Sequence, residues 1–255
     1  MSGAAPRRRA RTGTRTDAAP RTVPDAVLFD LDGTLADTPA AIGRLLAEVC
    51  AEAGRPVAAA DAAATVGIPL EDAFARLLAL PAHAAPVAEA VRRYRSLFDA
   101  RVPAQGPRLA YPGVAEGLAR LTAAGIPLAI TTSKVTRSAH ALLTAMGLDR
   151  HFTVVVGHDR VRHGKPDPAT ALLAAQECGV PAAGCVVVGD AVVDVSMARA
   201  AGMRPVAVAY GVGSRPDLAA AGAAVCADFD EVVAALLPRA DARKEEERCP
   251  SRAAG

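Results

Sequence analysis

Tryptophan is absent and aromatic residues make up only 3% of the chain. Stacking platforms for single-stranded nucleic acid need several exposed rings, so that class of binder is excluded. No segment reaches the ~18 consecutive apolar residues of a membrane-spanning helix. Cysteine is sparse: five residues, at 50, 178, 185, 226 and 249, with no Cys-x-x-Cys pair and no His-rich partner segment. A disulfide framework or zinc site has no pattern to rest on. The odd count in a chain of 255 residues points to reduced, mostly buried thiols and a cytoplasmic setting. A large excess of one charge is missing too. The net +2 divides into +5 over residues 1–24, which carry six Arg and one Asp, and about −3 over the rest, with 23 basic and 26 acidic residues. The basic character belongs to the tail, and the body has no electrostatic footprint for nucleic acid.

What is present is 51% hydrophobic residues in short, regularly spaced runs. Predicted strands are Val27–Asp30, Leu128–Thr131, Thr153–Val156, Cys185–Val188, Pro205–Ala209 and, more weakly, Ala223–Cys226. Predicted helices between them cover Pro112–Ala124, Arg137–Met146, Pro168–Cys178, Asp194–Ala201 and Asp228–Leu237. The strands are nearly all apolar rather than alternating. That is the pattern of a parallel sheet with helices on both faces, a Rossmann-like α/β fold. Between Pro39 and Pro107 no strand is predicted, and helices are expected over Pro39–Ala53, Pro69–Leu80 and Val87–Ala100. This interval reads as an α-helical cap inserted after the first strand. The expected organisation is a tail over 1–24, a core over 25–38 and 108–238, a cap over 39–107 and a second tail over 239–255. The first tail is Arg- and Thr-rich and acid-poor, as transit peptides are, but its Pro, Gly and polar content favours a disordered extension.

The stretch DAVLFDLDGTLADT (25–38) ends the most strand-like segment in carboxylates. Residues two apart on a strand share a side, so Asp30 and Asp32 can enter one pocket beyond the strand's carboxyl end, and Gly33 permits a sharp turn. Two close carboxylates need a proton or a cation between them. Other strand ends repeat the theme. CVVVGDAVVD (185–194) supplies Gly189, Asp190 and Asp194, and LAITTSK (128–134) ends in hydroxyls and exposed amides. VRHGKPDP (161–168) supplies Lys165. Carboxylate, hydroxyl, cation and a second carboxylate group make an inventory for phosphoryl transfer, with hard oxygens suited to Mg²⁺.

Over residues 25–238 these motifs, in this order, resemble the haloacid dehalogenase superfamily, and within it the phosphoglycolate phosphatase-like branch. DLDGTLADT matches the first motif, Thr132 in TTSK the second (Thr131 is one position away), Lys165 in HGKPDP the third, and GDAVVDVSMARAAGM (189–203) the fourth. The resemblance implies an aspartyl-phosphate mechanism with Asp30 as nucleophile and Asp32 as general acid, then base. It implies that Thr132 binds a phosphoryl oxygen and Lys165 balances charge. It also implies Mg²⁺ held by Asp30, the Asp32 backbone carbonyl and Asp190. Ser133, Gly189 and Asp194 take supporting positions, with Asp194 orienting a metal-bound water or Lys165. Ala191 departs from the pattern, since many relatives carry a hydroxyl residue there. The implied substrate is a small phosphorylated metabolite, phosphoglycolate-like or a sugar phosphate, handled by a monomer or homodimer without nucleic acid or membrane. Alternatives are a mutase similar to β-phosphoglucomutase, a pyrophosphatase, and a non-catalytic binding protein. Mutases of that kind usually carry Glu-Asp where this chain has Gly189-Asp190, which favours hydrolysis.

Other polar residues have plainer readings. Asp37 and Thr38 are expected to cap the helix that begins at Pro39. His83, His140, His151, His158 and His163 lack any ligand spacing and are read as surface or loop residues. GVGSRP (211–216) is read as a turn, and Asp72, Arg76, Arg92 and Arg93 as solvated helix faces. The cap loop TVGIPLED (65–72) resembles loops that touch substrate in the family.

Overall fold

In the computed structural model, residues 23–237 are described. The two tails expected from composition lie outside that range, apart from Val23 and Pro24. Six parallel strands form one sheet: β1 (Ala26–Phe29), β2 (Leu128–Thr131), β3 (Val154–Val156), β4 (Cys185–Gly189), β5 (Arg204–Val208) and β6 (Ala224–Cys226). Their spatial order is β3-β2-β1-β4-β5-β6, with every neighbouring pair parallel. The predicted strands and the α/β class therefore stand, with ends shifted by a residue at most of them.

The alternation of β1 explains the layering. Val27 and Phe29 join one hydrophobic cluster, Ala26 and Leu28 the other. The first cluster takes in the apolar faces of α5 (Val114–Ala123), α6 (Thr136–Met146) and α10 (Phe229–Leu236). The second takes in α7 (Ala169–Cys178) and α8 (Val192–Ala200), whose small residues Ala171, Ala174, Ala175 and Ala198 let the helices lie close on the sheet. Two helices were not predicted. One is the five-residue α2 (Ala59–Ala63), too short to show a period. The other is α9 (Arg215–Ala220), which starts inside the GVGSRP stretch read as a turn; Ser214 caps it by accepting from the Asp217 N–H.

The insertion between β1 and β2 is helical: α1 (Pro39–Glu52), α2, α3 (Leu70–Leu78) and α4 (Ala85–Arg101), followed by a 3₁₀ stretch over Pro103–Leu109. Its apolar residues, among them Leu46, Phe74, Leu77 and Phe98, are continuous with the cluster on the β1–α5 side. The two connections to the sheet run side by side. The Asp37 N–H donates to the Leu109 carbonyl at 2.6 Å and the Tyr111 N–H to the Leu35 carbonyl at 3.1 Å, with an antiparallel bridge between Ala36 and Ala110. No described helix is long and apolar enough to cross a membrane.

The chain runs from β1 outward to β2 and β3, then returns to β4 on the other side of β1. Such a reversal opens a crevice at the carboxyl ends of the two central strands, and residues 30, 32 and 190 follow those ends directly. Phe29, the last residue of β1, fixes the crevice floor: it is fully buried, with its ring 5.9 Å from Phe229 and 6.3 Å from Phe152. Phe29→Ala should cost about 3–5 kcal/mol of stability through the cavity it leaves. Urea unfolding of purified protein measures this, and a loss under about 1 kcal/mol would contradict the packing described.

Candidate active site

Asp30 stands one residue past β1, its N–H still donating to the Val188 carbonyl of β4 at 2.8 Å. Leu31 turns into the core with no exposure, so Asp30 and Asp32 flank it on the crevice side. Gly33 adopts φ +90°, and a Cβ there would collide with the Asp190 carboxylate. Gly189 is equally constrained, because a side chain would strike Asp194. A glutamate could not occupy that position without moving the acid.

Lys165, from the loop before α7, is the hub. Its Nζ donates to Asp30 Oδ1 at 2.5 Å and to Asp194 Oδ1 at 2.6 Å, and its side chain is 2% exposed. Asp194 Oδ2 accepts from the Ala191 N–H at 3.0 Å, which holds the acid at the start of α8. Asp190 accepts from Thr34 Oγ1 at 3.1 Å and from the Val212 N–H at 2.8 Å, and the Tyr210 hydroxyl steadies the Thr34 carbonyl at 2.8 Å. Nothing in the sequence pointed to Tyr210 and Val212, and Thr34, though inside DLDGTLADT, had no role assigned to it. The GVGSRP stretch that contains Val212 is a support for Asp190, and at Gly211 too a Cβ would collide with it.

Asp30, Asp190 and Asp194 present carboxylate oxygens all within 4.8 Å of one another, and all three are buried. Three carboxylates face one ammonium, so a proton or a cation must make up the difference. Burial pushes the Asp30 carboxyl well up, with Lys165 opposing and Asp194 and Asp190 adding to the rise. Burial and the nearby Asp194 push Asp190 up to about 7. Burial by itself would lower the Lys165 ammonium, but Asp194 and Asp30 override it and hold it above its ordinary range. A hard, oxygen-only, anionic cluster fits a small divalent cation. The Asp32 side chain is not part of it.

Asp32 faces the cap side instead. Its Oδ1 accepts from Thr38 Oγ1 at 2.6 Å and its Oδ2 lies 3.1 Å from Lys134 Nζ. This corrects the capping expectation. Thr38 occupies the N-cap position of α1, yet its hydroxyl makes no capping bond and is spent on Asp32. Thr132 lines the cavity and its Oγ1 accepts from the Lys134 N–H at 3.1 Å, whereas Thr131 is fully buried in β2 and does not reach the cavity. Ser133 donates through Oγ to the carbonyl of Gly67 in the cap loop at 2.8 Å.

A cavity of about 80 Å³ lies between this crevice and the cap. Asp30, Asp32, Thr132, Ser133, Lys134 and His158 line it from the core; Thr65–Ile68, Leu70, Glu71, Tyr94, Arg95 and Phe98 line it from the cap. The 65–72 loop is thus at the cavity, and of the five histidines read as surface or loop residues, His158 also reaches it. Arg92 and Arg93 pair with Glu89 and Glu52 on exposed faces, as expected for solvated helix residues.

A family model for haloacid dehalogenase-like hydrolases matches residues 27–208. The chain belongs to the haloacid dehalogenase-like hydrolases. It is 45% identical over 211 residues to "Probable phosphatase IndB" of Dickeya dadantii, covering 82% of this chain and 92% of that protein. It is 34% identical over 217 residues to a phosphoglycolate phosphatase of Mesorhizobium japonicum, covering 84% and 95%. A haloacid dehalogenase-like hydrolase of Streptococcus pneumoniae superposes with a TM-score of 0.71 at 27% identity, over 83% of this chain and 98% of that one. A β-phosphoglucomutase from Clostridium difficile, at 20% identity and a TM-score of 0.70 over 82% and 92%, shares the fold.

If the acidic cluster takes a divalent cation, MgCl₂ at a hundredfold its dissociation constant should stabilise the metal-free protein by about 2.7 kcal/mol. Asp190→Asn should abolish that shift while leaving the metal-free protein at least as stable as wild type. The amide can still accept from Val212 and donate to Thr34, and a buried repulsion is removed. Thermal melts with and without EDTA check both, and an unchanged Mg²⁺-dependent shift in Asp190→Asn would contradict the assignment.

Proposed function

We propose that this protein is a Mg²⁺-dependent phosphomonoester hydrolase acting on a small phosphorylated metabolite through an aspartyl-phosphate on Asp30. The observation that carries the proposal is the buried Asp30 carboxylate, held by the Lys165 ammonium beside Asp190 at the floor of a cap-covered cavity. The relatives named as phosphatases support it.

Lys165 engages Oδ1 of Asp30, and Oδ2 attacks the phosphorus. As the O–P bond to Asp30 forms, the bond to the alcohol oxygen breaks, and Asp32 gives its proton to the departing alkoxide. The alcohol leaves. Asp32, now a carboxylate, takes a proton from a water that attacks the same phosphorus. The Asp30–phosphorus bond breaks, inorganic phosphate departs and Asp32 is again protonated. Water and ester have become alcohol and phosphate, with both carboxyl groups restored. Splitting the displacement lets one side chain serve as acid and then as base. Thr132 accepts from the Lys134 N–H, which leaves its hydroxyl proton for a phosphoryl oxygen. Lys165 offsets the charge of Asp30 and of the phosphoryl group. Mg²⁺, held by Asp30, Asp190 and the Asp32 carbonyl, would supply further positive charge for the phosphoryl oxygens.

The cap supports a small substrate, because its α4 residues and the 65–72 loop roof the cavity over Asp30. Gly189 speaks for hydrolysis over mutase chemistry, since no Glu fits there. Cys50, Cys178 and Cys185 are free thiols, which supports the cytoplasm as its compartment.

Asp30→Asn should abolish turnover of every phosphomonoester tested, and Asp32→Asn should lower kcat/KM for alkyl phosphates about 10²–10⁴-fold. EDTA should silence the enzyme and MgCl₂ restore it. Phosphate release assays across a panel of phosphorylated metabolites measure all three; one substrate turned over normally by Asp30→Asn, or a rate indifferent to EDTA, refutes the mechanism.

A further inference from the structure

Lys134 lies outside the Lys165 cluster, yet it is as firmly placed. Its Nζ sits 3.1 Å from Asp32 Oδ2 and 4.0 Å from the centre of the Phe98 ring, and its side chain is 11% exposed. Asp32 belongs to the core, following β1. Phe98 belongs to α4 of the cap and is 2% exposed. One ammonium therefore bridges the two halves of the cavity: a carboxylate on one side, an aromatic face on the other. A desolvated cation gains from a ring face within about 6 Å, so both contacts favour the same lysine position.

Its neighbours reinforce the placement. Ser133 donates to the Gly67 carbonyl in the cap at 2.8 Å, and Arg137 reaches Asp99 of α4 at 3.6 Å. Residues 133, 134 and 137 all follow β2, and all touch the cap. Lys134 alone also touches Asp32. The Thr38 hydroxyl takes the other oxygen of that carboxylate, so the two donors together fix the plane and direction of Asp32.

We propose that Lys134 is a positioning residue that couples cap closure to the aim of Asp32. With the cap seated, Phe98 confines the ammonium against Oδ2; each carboxyl oxygen keeps a second lone pair, which carries the proton to be delivered, and the carboxyl is aligned for its transfer. With the cap away, the ammonium loses its aromatic wall and Asp32 keeps only Thr38. The acid is then fully assembled only around an enclosed substrate, which limits wasteful hydrolysis chemistry in an open site. The inference rests on the reading of Asp32 as acid and base.

The test is leaving-group dependence of kcat/KM, which reports the steps through release of the alcohol. p-Nitrophenolate departs without a proton, whereas the alkoxides of β-glycerophosphate and phosphoglycolate need one. Lys134→Met should lower kcat/KM for the alkyl phosphates about 10- to 100-fold, a loss typical of a misaligned group, and leave p-nitrophenyl phosphate nearly unchanged. Phe98→Leu should show the same selective loss, and the double variant should fall no further than the worse single one. Lys134→Arg, which keeps the charge and the ring contact, should recover most of the alkyl activity. Equal losses on both substrate types would make Lys134 a substrate-binding or purely structural residue and overturn the proposal, as would additive losses in the double variant. Asp32→Asn is the control. If it too lacks leaving-group selectivity, the reading of Asp32 fails and the coupling falls with it. If it is selective and Lys134→Met is not, only the coupling fails.

Discussion

Everything in the crevice depends on one ammonium group confined among carboxylates. Lys165 is buried with Asp30 and Asp194 against it, and Asp190 completes the acidic cluster. Isolated burial of any of these charges would be very costly, and the Lys165 ammonium is what makes the carboxylates around it tolerable. They come from far apart in the chain: 135 residues separate Asp30 from Lys165, and 29 separate Lys165 from Asp194. The parallel sheet, with its strand ends aligned, brings these groups together. The crowding they create then dictates the glycines at 33, 189 and 211, none of which has room for a side chain.

The first motif divides its labour between the two sides of the cavity. Asp30 is tied to the core through Lys165, whereas Asp32 is tied through Thr38 and Lys134 to residues at the cap boundary. Leu31 between them is anchored in the hydrophobic cluster, which leaves both acids on the crevice side, and their different partners make the division. One group stays rigid with the sheet, and the other answers to the cap.

The sheet was legible because buried parallel strands are apolar runs at regular intervals, and the runs at Leu128–Thr131 and Cys185–Gly189 are hard to read otherwise. The residues at their ends were legible because carboxylates and a lysine stand out against such runs. What escaped were contacts with no local pattern. Tyr210 and Val212 support Asp190 and Thr34 from a loop whose composition is ordinary, and nothing within DLDGTLADT singles out Thr34 as the partner of Asp190. Thr38 sits where a helix cap belongs, and only the turn at Gly33 brings its hydroxyl to Asp32 instead. His158 reaches the cavity by the path of its loop, which no spacing rule anticipates. Short elements were lost as well, since five residues of α2 cannot display a helical period.

The paired connections at Ala36 and Ala110 have a consequence for how this enzyme could diversify. Because the cap leaves and re-enters the sheet domain at two hydrogen-bonded positions, its ends are as close as those of a hairpin. The sheet therefore sees the same short gap whatever lies between residues 37 and 109. A longer, shorter or differently folded segment could be spliced there without asking any strand to move, so the roof of the cavity can evolve as an exchangeable cassette while the floor stays fixed.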